Sequence, residues 1–201
     1  MFKILRYFIV TTIFCTLSFG STTSHISSNQ LIQIGKKYGK KARQRILLWE
    51  EMLVRAKNKK TLVKLKMVND FFNQITYKKD SSHWKKKDYW ASPLELLATG
   101  AGDCEDYAIA KYFALRTLGI PEKKLKIAHV TLQQRDKKFD EAHTVLNYYH
   151  KSYKTAVVLD NVNKKLILAT NRKDLKPIER LSTKELRDIL QFPAKLPLFL
   201  Y

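Results

Sequence analysis

The chain has 201 residues, 45% of them hydrophobic, with Trp 3, Tyr 10 and Phe 10; that is enough apolar mass for one cored domain and excludes a disordered or fibrous chain. Its net charge of +20, from 38 basic and 18 acidic residues, would suit nucleic acid, an anionic membrane surface or an acidic protein partner. The lysine pairs, from Lys36-Lys37 to Lys164-Lys165, are scattered and form no stripe with interleaved aromatics, and no helix-turn-helix or zinc-finger spacing is present. They read as a well-solvated basic surface, and no nucleic-acid partner is expected.

Lys3 and Arg6 precede a mostly apolar run from Tyr7 to Phe19, and Ser18-Phe19-Gly20 places small residues at the first and third positions before a cut at Ser21. Residues 1–20 therefore read as a secretory signal peptide. The apolar run, about 13 residues, is short of the ~20 that a membrane span needs. The expected product is exported and membrane-proximal but not integral; the alternative is an uncleaved anchor. Phe14 is too bulky for the usual lipidation position before Cys15, so Cys15 is expected to leave with the leader. Cys104 is then the one thiol of the mature chain, and no internal disulfide can form. An unpaired thiol in an oxidising compartment is a candidate reactive group; the alternative is an inert buried thiol.

Residues 21–40 read as a loosely held, polar lead-in, and residues 41–201 as the domain. Ile46, Leu47, Met52 and Leu53 give Lys41–Ala56 helical spacing, and Val63, Leu65, Val68 and Phe71-Phe72 do the same for Leu62–Phe72, with a break around Asn58. Tyr77–Tyr89 reads as an irregular surface loop. Ser92-Pro93-Leu94-Glu95 suits a helix start, a capping Ser followed by Pro. After Gly100-Ala101-Gly102, Cys104–Leu118 is the strongest helix: Asp103 can cap it, Tyr107, Ala110, Ala114 and Leu118 share a stripe, and Gly119 with Pro121 stops it. The period then changes. Leu125–Leu132, His143–Tyr149, Thr155–Leu159 and Leu166–Leu168 read as strands, and Thr183–Gln191 as a closing helix. Helices first and strands after, with short connections, is an α+β order with antiparallel strands.

Three features can build a site. Cys104 starts a helix, where the dipole favours a thiolate. His143 opens a strand and can take the thiol proton, and Asp160 ends the next strand and can orient the imidazole. Of the other histidines, His25 lies near the terminus, His83 in a loop, and His129 inside a strand, where a structural role is usual. Taken singly, His143 is more often a satisfied structural histidine and Asp160 more often a strand-end or turn acid.

Gly102-Asp103-Cys104-Glu105-Asp106-Tyr107-Ala108, preceded by Trp90-Ala91-Ser92-Pro93-Leu94-Glu95, resembles the bacterial transglutaminase-like cysteine protease family of the LapG type. The similarity takes in Met67-Val68-Asn69, Phe71-Phe72-Asn73, Ala142-His143-Thr144-Val145-Leu146 and Val158-Leu159-Asp160-Asn161, and runs over about residues 45–190. It implies a papain-like, transglutaminase-like α+β fold, N-terminal helices and a nucleophile-bearing helix packed on an antiparallel sheet. It implies Cys104 as nucleophile, His143 as base and Asp160 as orienting acid. It further implies a calcium-dependent periplasmic endopeptidase that cuts the N-terminal region of a large surface adhesin, typically beside paired alanines, and frees cells from a biofilm. The implied regulator is a LapD-like inner-membrane receptor for cyclic di-GMP that sequesters the protease. Thr144 departs from the larger apolar residue expected after the histidine, and the high positive charge is also unexpected for the family.

Asp103, Glu105 and Asp106 surround the thiol with hard oxygen ligands that suit Ca²⁺, though without EF-hand spacing. The alternative is simple capping of the helix. One carboxylate about 7 Å from a thiolate costs roughly 2 kcal/mol at an effective dielectric of ~20, on the order of 1.5 pKa units against the nucleophile. A bound divalent cation reverses the local sign, so the expectation is that Asp103, Glu105 and Asp106 hold calcium. Two other functions use the same features: a transglutaminase, in which an amine takes the acyl group, and a non-catalytic basic exported binding protein.

Overall fold

The computed structural model describes residues 26–133, 140–152 and 155–180. The signal peptide, Cys15 and the helix expected over Thr183–Gln191 lie outside the described residues.

The described residues open with two helices, α1 (Ser28–Tyr38) and α2 (Lys40–Ala56), where the sequence suggested a loose lead-in over residues 21–40. A capping box starts α1: the Ser27 hydroxyl takes the Gln30 N–H while the Gln30 side chain takes the Ser27 N–H. Ile26 before it and Leu31 and Ile34 within it are buried. Only these few apolar positions anchor a largely polar helix, which is why its period does not stand out in the sequence. Helix α2 buries Ala42, Ile46, Trp49, Met52, Leu53 and Ala56 along one face. Helix α3 (Thr61–Phe72) follows and buries Leu65, Val68, Asn69 and Phe72.

The segment expected to be an irregular loop carries a two-residue strand, β1 (Thr76–Tyr77), and a one-turn helix, α4 (Asp80–His83), whose first residue is buried. Helix α5 (Pro93–Thr99) has a capping box between Ser92 and Glu95 and ends at Gly100, which is left-handed (φ +72°). Arg45 of α2 donates to the α5 carbonyls of Leu97 (2.6 Å) and Ala98 (2.8 Å), fixing this turn from outside. Strand β2 (Ala101–Gly102) pairs in parallel with β1, a short exception to the antiparallel expectation. It leads directly into α6 (Cys104–Thr117), which is buried on nearly every side from Cys104 to Leu115, well beyond a single stripe.

The rest is sheet. β3 (Leu125–Leu132), β4 (Glu141–Tyr149), β5 (Ala156–Leu159), β6 (Ile167–Leu168) and β7 (Leu175–Arg180) form five strands in the order β6-β5-β4-β3-β7, antiparallel at every pairing. β4 starts two residues earlier than expected, and β7, rich in charge and holding Pro177, is not apparent from periodicity. Side chains alternate across the sheet. Ile127, Leu146, Tyr148, Val157 and Leu159 join the main core with the helices, while Ala128, Val130, Val145 and Val158 form a second small cluster on the other face. The outcome is the expected α+β architecture with α6 against an antiparallel sheet.

Gly102 marks the tightest approach. A Cβ there would stand 2.5 Å from Asp106 Oδ2 and 2.6 Å from Leu96 Cδ1. Gly102→Ala is expected to lower stability by about 1–3 kcal/mol through overpacking, read as a lower midpoint in thermal denaturation. An unchanged midpoint would mean this junction is slack.

Candidate active site

Cys104 occupies the first position of α6, behind Asp103 as N-cap. This places its backbone N–H among the unpaired donors of a helix N-terminus. The side chain is 7% exposed. Its thiol donates to Glu105 Oε2 at 3.0 Å, and the backbone N–H of Thr144 is directed at the sulfur. Burial pushes the thiol pKa up, the charge and hydrogen bond of Glu105 and the charge of Asp103 push it further, and the Thr144 N–H only partly opposes them. With these carboxylates uncompensated, the sulfur is held as a thiol.

His143 and Asp160 come together through the sheet. The last pairs of β5 against β4 run from Tyr149↔Ala156 to Leu146↔Leu159, so β4 continues past the end of β5. The chain leaving β5 puts Asp160 beside that overhang. By alternation His143 and Asp160 share the face of Val145 and Val158. His143 Nε2 and Asp160 Oδ1 lie 2.8 Å apart, with both side chains at most 5% exposed. Nδ1 is the ring nitrogen not engaged by Asp160, and the next residue on β4, Thr144, meets Cys104 through its backbone N–H. Asp160 Oδ1 also accepts the Val162 N–H at 2.9 Å, and its Oδ2 lies 2.7 Å from Arg172 Nη2. Burial alone would raise Asp160, but His143, the Val162 N–H and Arg172 outweigh it and hold the carboxyl well below the usual range. Thr144, the departure noted in the sequence, bonds His129 Nδ1 through its hydroxyl at 3.0 Å.

Behind Asp160 stands a buried polar relay. Asn73 Nδ2 donates to the Asp160 carbonyl (2.8 Å), and Asn73 Oδ1 accepts from Lys111 Nζ (2.7 Å), two turns along α6 from Cys104. Lys111 is 1% exposed.

The acids separate into two groups. One carboxylate oxygen from each of Asp80, Asp103 and Asp106 can be chosen so that all three lie within 4.8 Å of one another. Positions 103 and 106 are one helical turn apart and face the same way, whereas Glu105 is turned about 100° from Asp106 and is engaged by the thiol. Of the three expected ligands, the structure thus gathers Asp103 and Asp106, leaves Glu105 at the sulfur, and adds Asp80 from α4. Burial raises Asp103 to about 9, with Glu105 adding to it, and raises Asp106 to about 7; Asp80 is raised as well, again chiefly by burial. Asp80 Oδ1 and Asp103 Oδ1 are buried without a hydrogen-bond partner. Crowded, desolvated carboxylates with orphaned oxygens are the donor set of a hard cation, so the residues present fit a calcium ion.

Asp80, Lys111 and Arg172 were not apparent as site residues in the sequence, since each is one charged residue among many in a lysine-rich chain. Tyr77 was also missed. It is half-exposed on β1, and burial together with the charges of Cys104, Asp103, Glu105 and Glu141 pushes its hydroxyl up to about 12. Trp90 packs partly buried against the main core with its ring 6.0 Å from that of His129.

A thiol at a buried helix N-terminus, with a histidine–carboxylate pair on the adjoining strands, defines a cysteine hydrolase or acyltransferase site on an α+β fold. The model of the bacterial transglutaminase-like cysteine proteinase family matches residues 37–191, and the chain belongs to that family. Among solved structures, it is similar to calcium-bound LapG of Legionella pneumophila, at 34% identity and a TM-score of 0.66, over 79% of this chain and 85% of that one. EGTA-treated LapG of the same organism matches at 33% identity with the same TM-score, over 79% and 83%. No curated protein sequence matches the chain. The protein is a LapG-like, transglutaminase-like cysteine protease.

Lys111 provides a test of the relay. Burial lowers it from 10.5 to about 7, against the opposing pull of Asp160 and Asp70. The folded state then binds fewer protons than the unfolded state between these values, so this group's contribution to stability rises with pH from about 7 towards 10.5. Lys111→Met should remove that rise. Urea denaturation at pH 7 and pH 9.5 is expected to show the parent gaining on the variant by on the order of 2–4 kcal/mol; parallel behaviour would place the lysine in water.

Proposed function

We propose that the protein is an exported, calcium-dependent cysteine endopeptidase that cuts the N-terminal region of a large surface adhesin and so promotes biofilm dispersal. In this reading it works in the periplasm and is restrained by sequestration on an inner-membrane receptor for cyclic di-GMP. The observation that carries the catalytic part is the placement of Cys104 at a buried helix start, beside the strand whose His143 is held by Asp160. The calcium part is supported by the trio of Asp80, Asp103 and Asp106 and by the likeness to a calcium-bound LapG. The expected signal peptide supports export, and no helix among the described residues is long and apolar enough to cross a membrane.

The chemistry follows from the residues. His143 Nδ1 takes the Cys104 proton, and the sulfur attacks the scissile carbonyl carbon. The developing oxyanion meets the Cys104 backbone N–H at the start of α6. His143, oriented through Nε2 by Asp160, returns the proton to the leaving amine as the C–N bond breaks, leaving an acyl-thioester. It then takes a proton from water, whose oxygen displaces the sulfur and releases the carboxylate product. A calcium ion held by Asp80, Asp103 and Asp106 would supply positive charge beside the nucleophile and offset the carboxylates that disfavour its thiolate.

Mature protein incubated with an adhesin N-terminal fragment from the same organism is expected to give two products whose masses sum to substrate plus one water, in calcium and not in chelator. Cys104→Ala should abolish cleavage. Amine-linked products would mark a transglutaminase instead, and no product with any variant would sink the proteolytic reading.

A second outcome follows from the raised acids. With Asp106 at about 7 and Asp103 at about 9, above their ordinary 3.8, the folded state holds extra protons. Their contribution to metal-free stability is full below pH 4 and is lost as pH rises through about 7 and about 9. The increase in thermal midpoint on adding calcium over chelator is therefore expected to grow from pH 5 to pH 9. Asp80→Asn should shrink it. A pH-independent increment, or none, would remove calcium from the cluster.

A further inference from the structure

Arg172 comes from the turn between β6 and β7, at the end of a single 3-10 turn (Ala169–Asn171). Its side chain is 1% exposed, yet its guanidinium serves two acids. Nη2 lies 2.7 Å from Asp160 Oδ2. Nε donates to Asp174 Oδ1 (2.9 Å) and Nη2 to Asp174 Oδ2 (2.7 Å), while the Asp174 side chain is 36% exposed. A row of four groups, His143, Asp160, Arg172 and Asp174, thus runs from the active site to the surface.

Each contact has a consequence for His143. Asp160 Oδ1 takes the hydrogen bonds of His143 and the Val162 N–H, while Oδ2, which has no hydrogen-bond partner, is held by the charge of Arg172 at 2.7 Å, so a turn of the carboxylate away from the imidazole is opposed at both oxygens. An arginine serving Asp160 alone would cancel the charge that stabilises an imidazolium. Asp174 draws on the same guanidinium and leaves Asp160 with part of its negative field. Hydrogen bonds and charge from Asp174 and Asp160 outweigh burial and raise Arg172, so its positive charge is permanent. Among the described residues, Lys111 acts by charge on Asp160 from behind Asn73, and Glu141 lies two residues before His143 on β4.

Stability is a poor reason for this arrangement. Buried ion pairs are commonly no better than apolar residues of the same volume, and Arg172 Nη1 is buried with no partner at all. The side chain is placed for Asp160 and Asp174 at the expense of its own hydrogen bonding. Its surroundings include the apolar residues Ala128, Val130, Val145 and Val158, which with it line a cavity of about 300 Å³ on the sheet face away from the helices. With both the Arg172 and Asp160 side chains at most 1% exposed, burial strengthens the pull between the charges.

We infer that Arg172 is a positioning residue of the catalytic machinery, holding the Asp160 carboxylate for His143 and itself held by Asp174. The inference rests on the Cys104–His143–Asp160 reading above but not on the adhesin or on calcium regulation.

The test uses the rate of Cys104 alkylation by iodoacetamide at neutral pH with calcium present, followed by peptide mass mapping on the full chain. This needs no substrate, so failure of the adhesin reading leaves it intact. His143→Ala is the control: slow alkylation there shows that the histidine activates the thiol, and alkylation at the parent's rate would overturn the triad reading and the inference with it. Given that control, Arg172→Ala is expected to slow alkylation about tenfold, in line with loss of a held geometry. Low-millimolar guanidinium, entering the cavity that the side chain vacates, should restore several-fold of it without changing the parent. Asp174→Asn, altered at the half-exposed end where folding is least threatened, should slow alkylation several-fold with an unchanged thermal midpoint. If Arg172→Ala fails to fold, Asp174→Asn decides. Parent-like alkylation in a folded Arg172→Ala or in Asp174→Asn, or loss in Arg172→Ala that guanidinium does not restore, would overturn the inference.

Discussion

The site depends on one buried carboxylate. Asp106 is 0% exposed and accepts the Ala91 N–H at 2.7 Å and the Asp103 N–H at 3.3 Å. These two bonds tie the segment entering α5 and the N-cap of α6 to the same side chain. Gly102 has no side chain because Asp106 and Leu96 fill the space where it would be. The first turn of the nucleophile helix is therefore anchored from three directions and buried with its acids. A helix start in water would disperse their charge; here desolvation raises them. The burial that fixes the Cys104 backbone N–H also creates a need for compensating positive charge.

The sheet supplies the other half by ending one strand early. With β5 stopping at Leu159 opposite Leu146, β4 presents His143 and the Thr144 N–H beyond its last β5 partner. The same stop releases the chain at Asp160, so His143 and Asp160 meet at one edge. Two apolar clusters lie on opposite faces of this edge, the main core behind Leu159 and the small cluster around Val158. The ionic row from His143 to Asp174 is packed against the smaller one, which explains why the His143–Asp160 hydrogen bond can be dry in a protein whose surface is so charged.

What was legible in the sequence is what is local. The run Gly102 to Ala108 carries a turn, a cap, a thiol and a helix start within seven residues, and β3 and β4 announce themselves as short runs rich in Val, Ile, Leu, Thr and Tyr. Asp160 was legible because it closes a run of Val and Leu. Asp80 was not, since it lies in a polar stretch where nothing marks one residue as buried; its place is set by the Tyr89 N–H folding back onto it and by β1 pairing with β2. Arg172 and Lys111 were hidden for the same reason: a chain with 38 basic residues gives no local sign of which two go inside. Glu105 shows the opposite limit. Three acids in a motif look equivalent in the sequence, but a helix separates neighbours by about 100°, and only the folded chain shows which one meets the sulfur.

This chain is basic outside and acidic at its reactive centre, and the two features act at different ranges. The lysines near Asp80 in sequence, Lys78, Lys79 and Lys85 to Lys87, are exposed, and their field is screened within about 8 Å at physiological salt. The carboxylates of the α6 start are desolvated and act on one another with far less screening. Surface charge therefore bears on how a partner approaches, and it cannot neutralise the cluster beside Cys104. Neutralising it takes a charge within reach of Asp80, Asp103 and Asp106, which is the part that the proposed calcium ion would play.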